Sequence, residues 1–170
     1  NIAVANLIIG ELHKEKPFRK EFQIDGRPGK PTEDLGLVRV VLFVPEDLHL
    51  FKGPPANRRQ YLDRTIWNAD PIYLKEVQLY NRVLRQRNAA LRAQQQDMLS
   101  LFDEQLALVG AKIIFRRKGF TDIWSQGFAQ SFERISSRQH VVSLQYRTSC
   151  QSDTVALLEQ ELLSLLRQRH

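Results

Sequence analysis

Apolar side chains recur at every second position at the start of the chain. Ile2, Val4 and Ile8 fall on one side of an extended backbone, and Ala3, Ala5, Leu7 and Ile9 on the other. That pattern predicts a strand covered on both faces. Phe18, Phe22 and Ile24 predict a second, more polar strand that turns at Asp25-Gly26. The run LGLVRVVLFV, residues 35–44, is the most strand-like in the chain and too hydrophobic for a surface strand; it stops at Pro45.

At GPPANRR the period changes to helical. A short helix is predicted from Ala56 to Trp67, and Asp70-Pro71 opens a longer one, acceptor first and proline in the first turn. Tyr73, Val77, Tyr80, Leu84 and Leu91 step along it by fours and threes, with Arg87 in one seam position. After a polar AQQQD stretch, Phe102, Leu106, Val109, Ile113, Phe120 and Ile123 repeat the spacing, and Arg116 takes the equivalent seam position. Two heptad-patterned segments joined by a short polar turn predict an antiparallel helical hairpin, about 35 Å long at 1.5 Å per residue. Gly119 and Gly127 weaken its second helix, each by about 1 kcal/mol relative to alanine.

HVVSLQYR then predicts a returning strand, and Ser152-Asp153 starts a last helix through Leu157, Leu158, Leu162, Leu165 and Leu166. Strands, helical excursion, strand and helix make an α+β chain in three parts. These are a β-rich part over residues 1–53, a helical arm over 54–135, and a returning strand and helix over 136–170.

Composition narrows the function. At 42% hydrophobic and 26% charged the 170 residues suit a folded, soluble domain, and no apolar run approaches the roughly 20 residues that cross a bilayer. NIAVANLIIG has no basic region before it and is not read as a signal peptide; it is expected to be the first strand of something cut from a longer chain. Cys150 is the single cysteine, so a disulfide framework and a thiolate metal cluster are excluded and a reduced intracellular setting fits. His13, His49, His140 and His170 have no ligand spacing, and no metal site is expected. Lys and Arg outnumber acids by 25 to 19, and arginine dominates the excess between residues 82 and 118. A concentrated basic segment points to an anionic partner, most simply nucleic acid. A solvated charged helix is the alternative.

GRPGKPT, residues 26–32, imitates a phosphate loop but fails its spacing. The residue five before Gly29 is Ile24, and Pro31 stands where serine or threonine is required, removing an amide donor. The stretch is read as a turn. Ser-His-Asp, HExxH and zinc-ligand spacings are absent as well, so no catalytic residue is assigned.

Behind two prolines stand Arg58 and Arg59. Arg59 can pair with Asp63 one helical turn on; Arg58 has Leu62 at that spacing and must reach elsewhere. VLFVPEDLHLFKGPPANRRQYLDR, then DPIYLKEVQLYNRVLRQRNAALR and FDEQLALVGAKII, closely resemble the bacterial RecF family. The F-x-P-E-D-L, G-x-P-x-x-R-R-x-[FY]-L-D and Y-x-R-V-L-x-Q-R-N elements occur in order and spacing. The resemblance covers nearly the whole chain and is most specific from Val41 to Arg92.

It implies an SMC-like, ABC-type ATPase that works in DNA replication, recombination, repair and the SOS response. ATP with Mg drives homodimerisation of its head around DNA, and with a RecR-like partner it loads recombinase at gaps. This chain would supply part of a β-rich head lobe and an inserted antiparallel helical-hairpin arm, in a cytoplasmic, nucleoid-associated protein. The phosphate loop is expected before Asn1 and the second ATPase half after His170, so no tight ATP binding or turnover is expected of these residues alone. Glu46 and Asp47 are candidates for a nucleotide-sensing loop by that resemblance; otherwise they enrich the first turn of a short helix after Pro45. Arg58 and Arg59 are candidates for a head–arm or anion contact.

On the arm, Arg85 and Arg92 lie seven apart on one face with Arg82 close to it; Arg117 and Lys118 are added by the second helix. All five are candidate contacts to DNA phosphates, which give salt-sensitive binding without sequence readout. Arg87 and Arg116, at seam positions, are expected to bury their stems and meet a carboxylate or carbonyl across the hairpin, with Gln86 and Asn88 flanking Arg87. A competing function is a non-enzymatic module, a helical hairpin that recruits a protein or dimerises.

Overall fold

The computed structural model describes residues 5–9, 20–24, 27–28, 44–136 and 141–168. They form two compact units that divide between Pro71 and Ile72. The run at residues 35–43 and the Asp25-Gly26 turn lie outside the described residues.

In the first unit β1 (Ala5–Ile9), β2 (Lys20–Ile24) and β3 (Arg27–Pro28) make an antiparallel sheet in sequence order. Ala5 faces Ile24, Ile9 faces Lys20, and Arg27 returns against Ile24. After Val44 the backbone enters a 3-10 turn (Pro45–Leu48) and α1 (His49–Lys52), then α2 (Pro55–Ala69). Pro55 sits where its fixed φ suits a first turn and its missing N–H costs nothing. Ile66 is the buried residue of α2, which ends as the Asp70 N–H bonds the Ile66 carbonyl in an extended cap.

The second unit is built from α3 (Pro71–Arg92), α4 (Leu99–Ile135) and α5 (Val155–Arg167). Contacts between α3 and α4 run in opposite order along the two helices. Tyr73 meets Arg117, Glu76 meets Arg116, and Arg87 meets Asp103. Tyr73, Val83, Arg87 and Ala90 are buried on α3; Leu99, Asp103, Leu106, Gly110 and Ile113 are among the buried residues of α4. The seam does not continue to the end of α4 as its spacing predicts, because Ile123 is 76% exposed. Phe120 stacks on Trp124 instead, ring centroids 5.1 Å apart.

A reversal at Ala93–Gln95 ends α3. Gln94 takes a left-handed φ of 56°, so the Gln95 N–H reaches back to the Ala90 carbonyl and the Gln94 N–H to that of Leu91. This pair of bonds satisfies helix-end carbonyls that would otherwise be orphaned.

α5 packs along α4. Val155, Leu158, Leu162 and Leu165 form its apolar stripe, and Leu158 is fully buried with Ala111, Ile114 and Cys150, worth about 1.5–3 kcal/mol for one leucine. Gly110 of α4 lies against side chains of both α3 and α5. A Cβ there would stand 2.6 Å from Leu162 Cδ2 and 3.2 Å from Tyr80 Cε2, so any side chain at this position makes Leu162 and Tyr80 shift.

The strand predicted at HVVSLQYR is not one. Residues 141–150 carry no ladder, although Val142, Leu144, Tyr146, Thr148 and Cys150 are covered while their neighbours are exposed. Alternation is satisfied by laying one side of an extended segment on helices. The Leu144 N–H donates to Ser125 Oγ on α4, and Cys150 enters the core beside Leu158. The helix start also moves. Thr154 is the cap of α5, its Oγ1 accepting from the Leu157 N–H. Ser152 Oγ and the Gln151 N–H both donate to Glu161, and Asp153 pairs with Lys118.

The charged centre of this unit is Arg87. Its Nε donates to the fully buried Asp103 carboxylate and its NH2 to the Leu166 carbonyl at 3.1 Å. Removing one member of a buried pair leaves the other charge unmatched. Asp103→Ala is therefore expected to cost about 3–5 kcal/mol in urea unfolding, whereas Arg87→Met with Asp103→Leu recovers most of it. Gln94→Gly should stabilise by about 0.5–1 kcal/mol, because glycine adopts the left-handed turn without a Cβ penalty.

The hydrogen bonds from Ser152 and the Gln151 backbone hold the Glu161 carboxyl below its usual range. A depressed carboxylate pKa stabilises above the ordinary value and loses that contribution as the pH falls through the folded-state value. The Tm deficit of Glu161→Gln should thus be largest near neutrality and close below the ordinary carboxylate range.

Candidate nucleic-acid interface

α3 carries its arginines in two environments. Arg87 faces inward; Arg82, Arg85 and Arg92 are exposed. From Val77 to Gln96 the chain contains no Asp or Glu, and none of the three exposed guanidinium groups meets a carboxylate among the described residues. Arg82 and Arg85 are separated by about 4.5 Å along the axis, and Arg85 and Arg92 by about 10.5 Å, at 1.5 Å per residue. One turn before each stands an exposed amide: Gln78, Asn81 and Asn88. The result is a cationic stripe with hydrogen-bonding amides beside it, which suits phosphate and sugar oxygens. A reading focused on arginine misses the amides; their constant spacing of four from the arginines is the signal that finds them.

Arg117 and Lys118 are placed differently. Arg117 is half-buried, its Nε donating to Tyr73 Oη at 2.9 Å and its NH1 to Tyr146 Oη at 3.3 Å. Its guanidinium carbon lies 5.9 Å from the Tyr146 ring centroid, a cation–π distance. Tyr80 is near enough to feel it. Burial pushes the Tyr80 phenol up, and the Arg117 charge works against that shift. Lys118 Nζ donates to the Ser152 carbonyl at 3.1 Å and to Asp153 at 2.7 Å, and these contacts hold the Asp153 carboxyl below its usual range. Both cations thus tie α4 to the extended segment and to the start of α5. Arg116 lies against Glu76, Nε 3.0 Å from Oε2. Gln86 and Asn88, expected to flank the Arg87 network, are exposed; the partner is Asp103, which stands one residue off the apolar seam.

In the first unit, Arg58 donates from NH1 to the Gly53 and Leu50 carbonyls at 3.2 and 3.4 Å. It reaches back from the first turn of α2 to the carbonyl end of α1, where a cation is favoured. Arg59, beside it, is exposed. Asp47 Oδ2 accepts the Val44 N–H at 2.9 Å, and the Asp47 N–H bonds the Val44 carbonyl. Asp47 thus caps the Val44 N–H from within the turn, while the second bond is the backbone bond of the 3-10 turn itself. Glu46 occupies the second position of that turn.

ATP needs a phosphate-cradling loop that passes from a strand into a helix. Arg27 and Pro28 instead pair back on β2, so this stretch does not fit the group. Among the described residues no cluster of His, Cys, Asp and Glu could hold a metal ion, and no helix is long and apolar enough to cross a membrane.

No protein-family model matches the chain. Individual proteins do. The DNA replication and repair protein RecF of Trichlorobacter lovleyi is 35% identical over 164 residues, covering 94% of this chain and 43% of that protein. The protein of the same name from Streptococcus pyogenes serotype M49 is 35% identical over 147 residues, covering 85% and 40%. Two solved structures of the recombination mediator protein RecF in the RecFOR pathway, RecF-ATP and RecF-ATPrS, superpose with TM-scores of 0.74 and 0.72. Their sequence identities are 29% and 26%; each covers 89% of this chain, which spans 42% and 43% of theirs. The chain thus spans about two-fifths of the relatives it matches, and over that span it belongs to the RecF family.

Proposed function

We propose that the chain is the DNA-contacting segment of a RecF-like, ATP-dependent recombinational repair protein that acts at DNA gaps to promote recombinase loading. α3 and α4 form its antiparallel arm, and Arg82, Arg85 and Arg92 contact DNA phosphates. One observation carries the reading: these three arginines remain exposed on an acid-free face while Arg87, Arg116, Arg117 and Lys118 are committed inside the fold. A guanidinium without an internal carboxylate retains its full capacity for phosphate, and each phosphate neutralised releases counterions.

The named relatives are DNA replication and repair proteins, and the solved ones are RecF-ATP and RecF-ATPrS in the RecFOR pathway. By that relation the whole protein uses ATP with Mg, forms an ATP-dependent homodimer, works with a RecR-like partner and resides in the cytoplasm at the nucleoid. None of those steps is routed through the residues described above. What these residues do is hold DNA by its backbone, without regard to sequence.

Fluorescence anisotropy with a gapped duplex across a salt series tests the assignment. Arg85→Glu with Arg92→Glu should lower affinity and flatten the slope of log K against log salt by about 0.9 per lost contact. Lys118→Met removes an internally bonded ammonium and should leave the slope unchanged. An unaltered slope in the double variant would take α3 out of the account.

A further inference from the structure

Neutral amides share the outward face of α3 with its arginines, and two of them are out of place in a helix interior. Asn81 and Asn88 stand seven residues apart, both exposed and both clear of the first and last turns of α3. Asparagine is a poor residue there, because its short amide competes with the backbone for hydrogen bonds. No hydrogen bond ties either carboxamide to another group among the described residues, so packing and capping do not account for them. Gln78, also exposed, is of a type that helices accept readily and carries no such signal.

The two asparagines alternate with arginines. At about 100° and 1.5 Å per residue, Asn81, Arg85, Asn88 and Arg92 fall within about 60° of one another and follow at intervals of about 6, 4.5 and 6 Å. Amide and guanidinium thus succeed each other along one line, in the stretch from Val77 to Gln96 that holds no acid. The DNA backbone alternates too, between anionic phosphate and uncharged sugar. A guanidinium suits the phosphate. A carboxamide, with two N–H donors and a carbonyl acceptor, suits sugar oxygens and the phosphate oxygens that a neighbouring arginine leaves open. We propose that Asn81 and Asn88 are themselves DNA-binding residues, filling the intervals of the arginine line with uncharged hydrogen bonds to backbone oxygens. The inference rests on the reading of α3 as the DNA-contacting helix. It adds what arginine alone does not supply, a share of the affinity that persists at high salt, because a neutral donor displaces no counterion.

Anisotropy of the 170-residue chain on a gapped duplex, repeated across a salt series, separates the two kinds of contact. Asn81→Ala with Asn88→Ala should weaken binding about tenfold, the loss of two net hydrogen bonds. The factor should be the same at every salt concentration, leaving the slope of log K against log salt unchanged. Alanine is the better helix former, so this double variant should unfold at an equal or higher urea concentration, which separates lost affinity from lost structure. Gln86, an exposed amide about 100° round the helix from Arg85, lies off the line, and Gln86→Ala should bind as the parent chain does. Parent affinity in the double asparagine variant overturns the proposal. So does a slope flattened as by loss of an arginine, or an equal loss from Gln86→Ala. If Arg85→Glu with Arg92→Glu flattens the slope while the asparagine variant binds normally, the amide contacts alone fall. If the arginine variant also leaves the slope unaltered, the DNA reading of α3 falls with them.

Discussion

A charge buried where three helices meet governs the second unit. Taking the guanidinium of Arg87 out of water costs several kcal/mol unless its partners are in place. Here they come from two other helices, the Asp103 carboxylate on α4 and the Leu166 carbonyl at the end of α5. Sliding α3 by one residue along α4 would strand both charges. At Gly110 the Tyr80 ring and Leu162 both lie close to the α4 backbone, where an added Cβ would have to displace them. Apolar seams tolerate slippage because leucines are interchangeable; an ion pair and a missing Cβ are not. Register is therefore fixed twice over.

That register decides which cations face outward. With Arg87 drawn to Asp103, Glu76 arrives beside Arg116 and Tyr73 beside Arg117. Lys118, next along, meets the extended segment and Asp153. Four of the basic residues are absorbed as internal fasteners. Those at 82, 85 and 92 are left over by helical geometry, and the lack of any acid from Val77 to Gln96 keeps them unneutralised. The surface charge is thus the remainder of the packing problem.

Much of this was legible in the residues. The need of Arg87 and Arg116 for a partner follows from their seam positions, and three ordered motifs pointed to the family. Asp103 was not legible, because it stands beside the seam formed by Phe102 and Leu106, and only a fixed register shows it facing Arg87. The alternation in residues 141–147 is real but does not make a strand. Period two reports an extended backbone with one covered side, and helices can provide the cover as well as a neighbouring strand can. Arg58 has no partner at helical spacing; its acceptors, the carbonyls of Leu50 in α1 and of Gly53 just after it, have no residue-type signature. Ile123 continued a pattern past the point where anything packs on it.

Both long helices carry more heptad pattern than their own contact requires. On α3 the surplus is cationic and sits at residues 85 and 92; on α4 it is apolar and sits at the exposed Leu101, Leu108 and Phe115. The two kinds of surplus respond to different variables. Phosphate contacts weaken steeply as salt rises, because counterion release drives them, while burial of leucine and phenylalanine is almost indifferent to moderate ionic strength. Placing them on separate helices lets one be occupied without displacing the other.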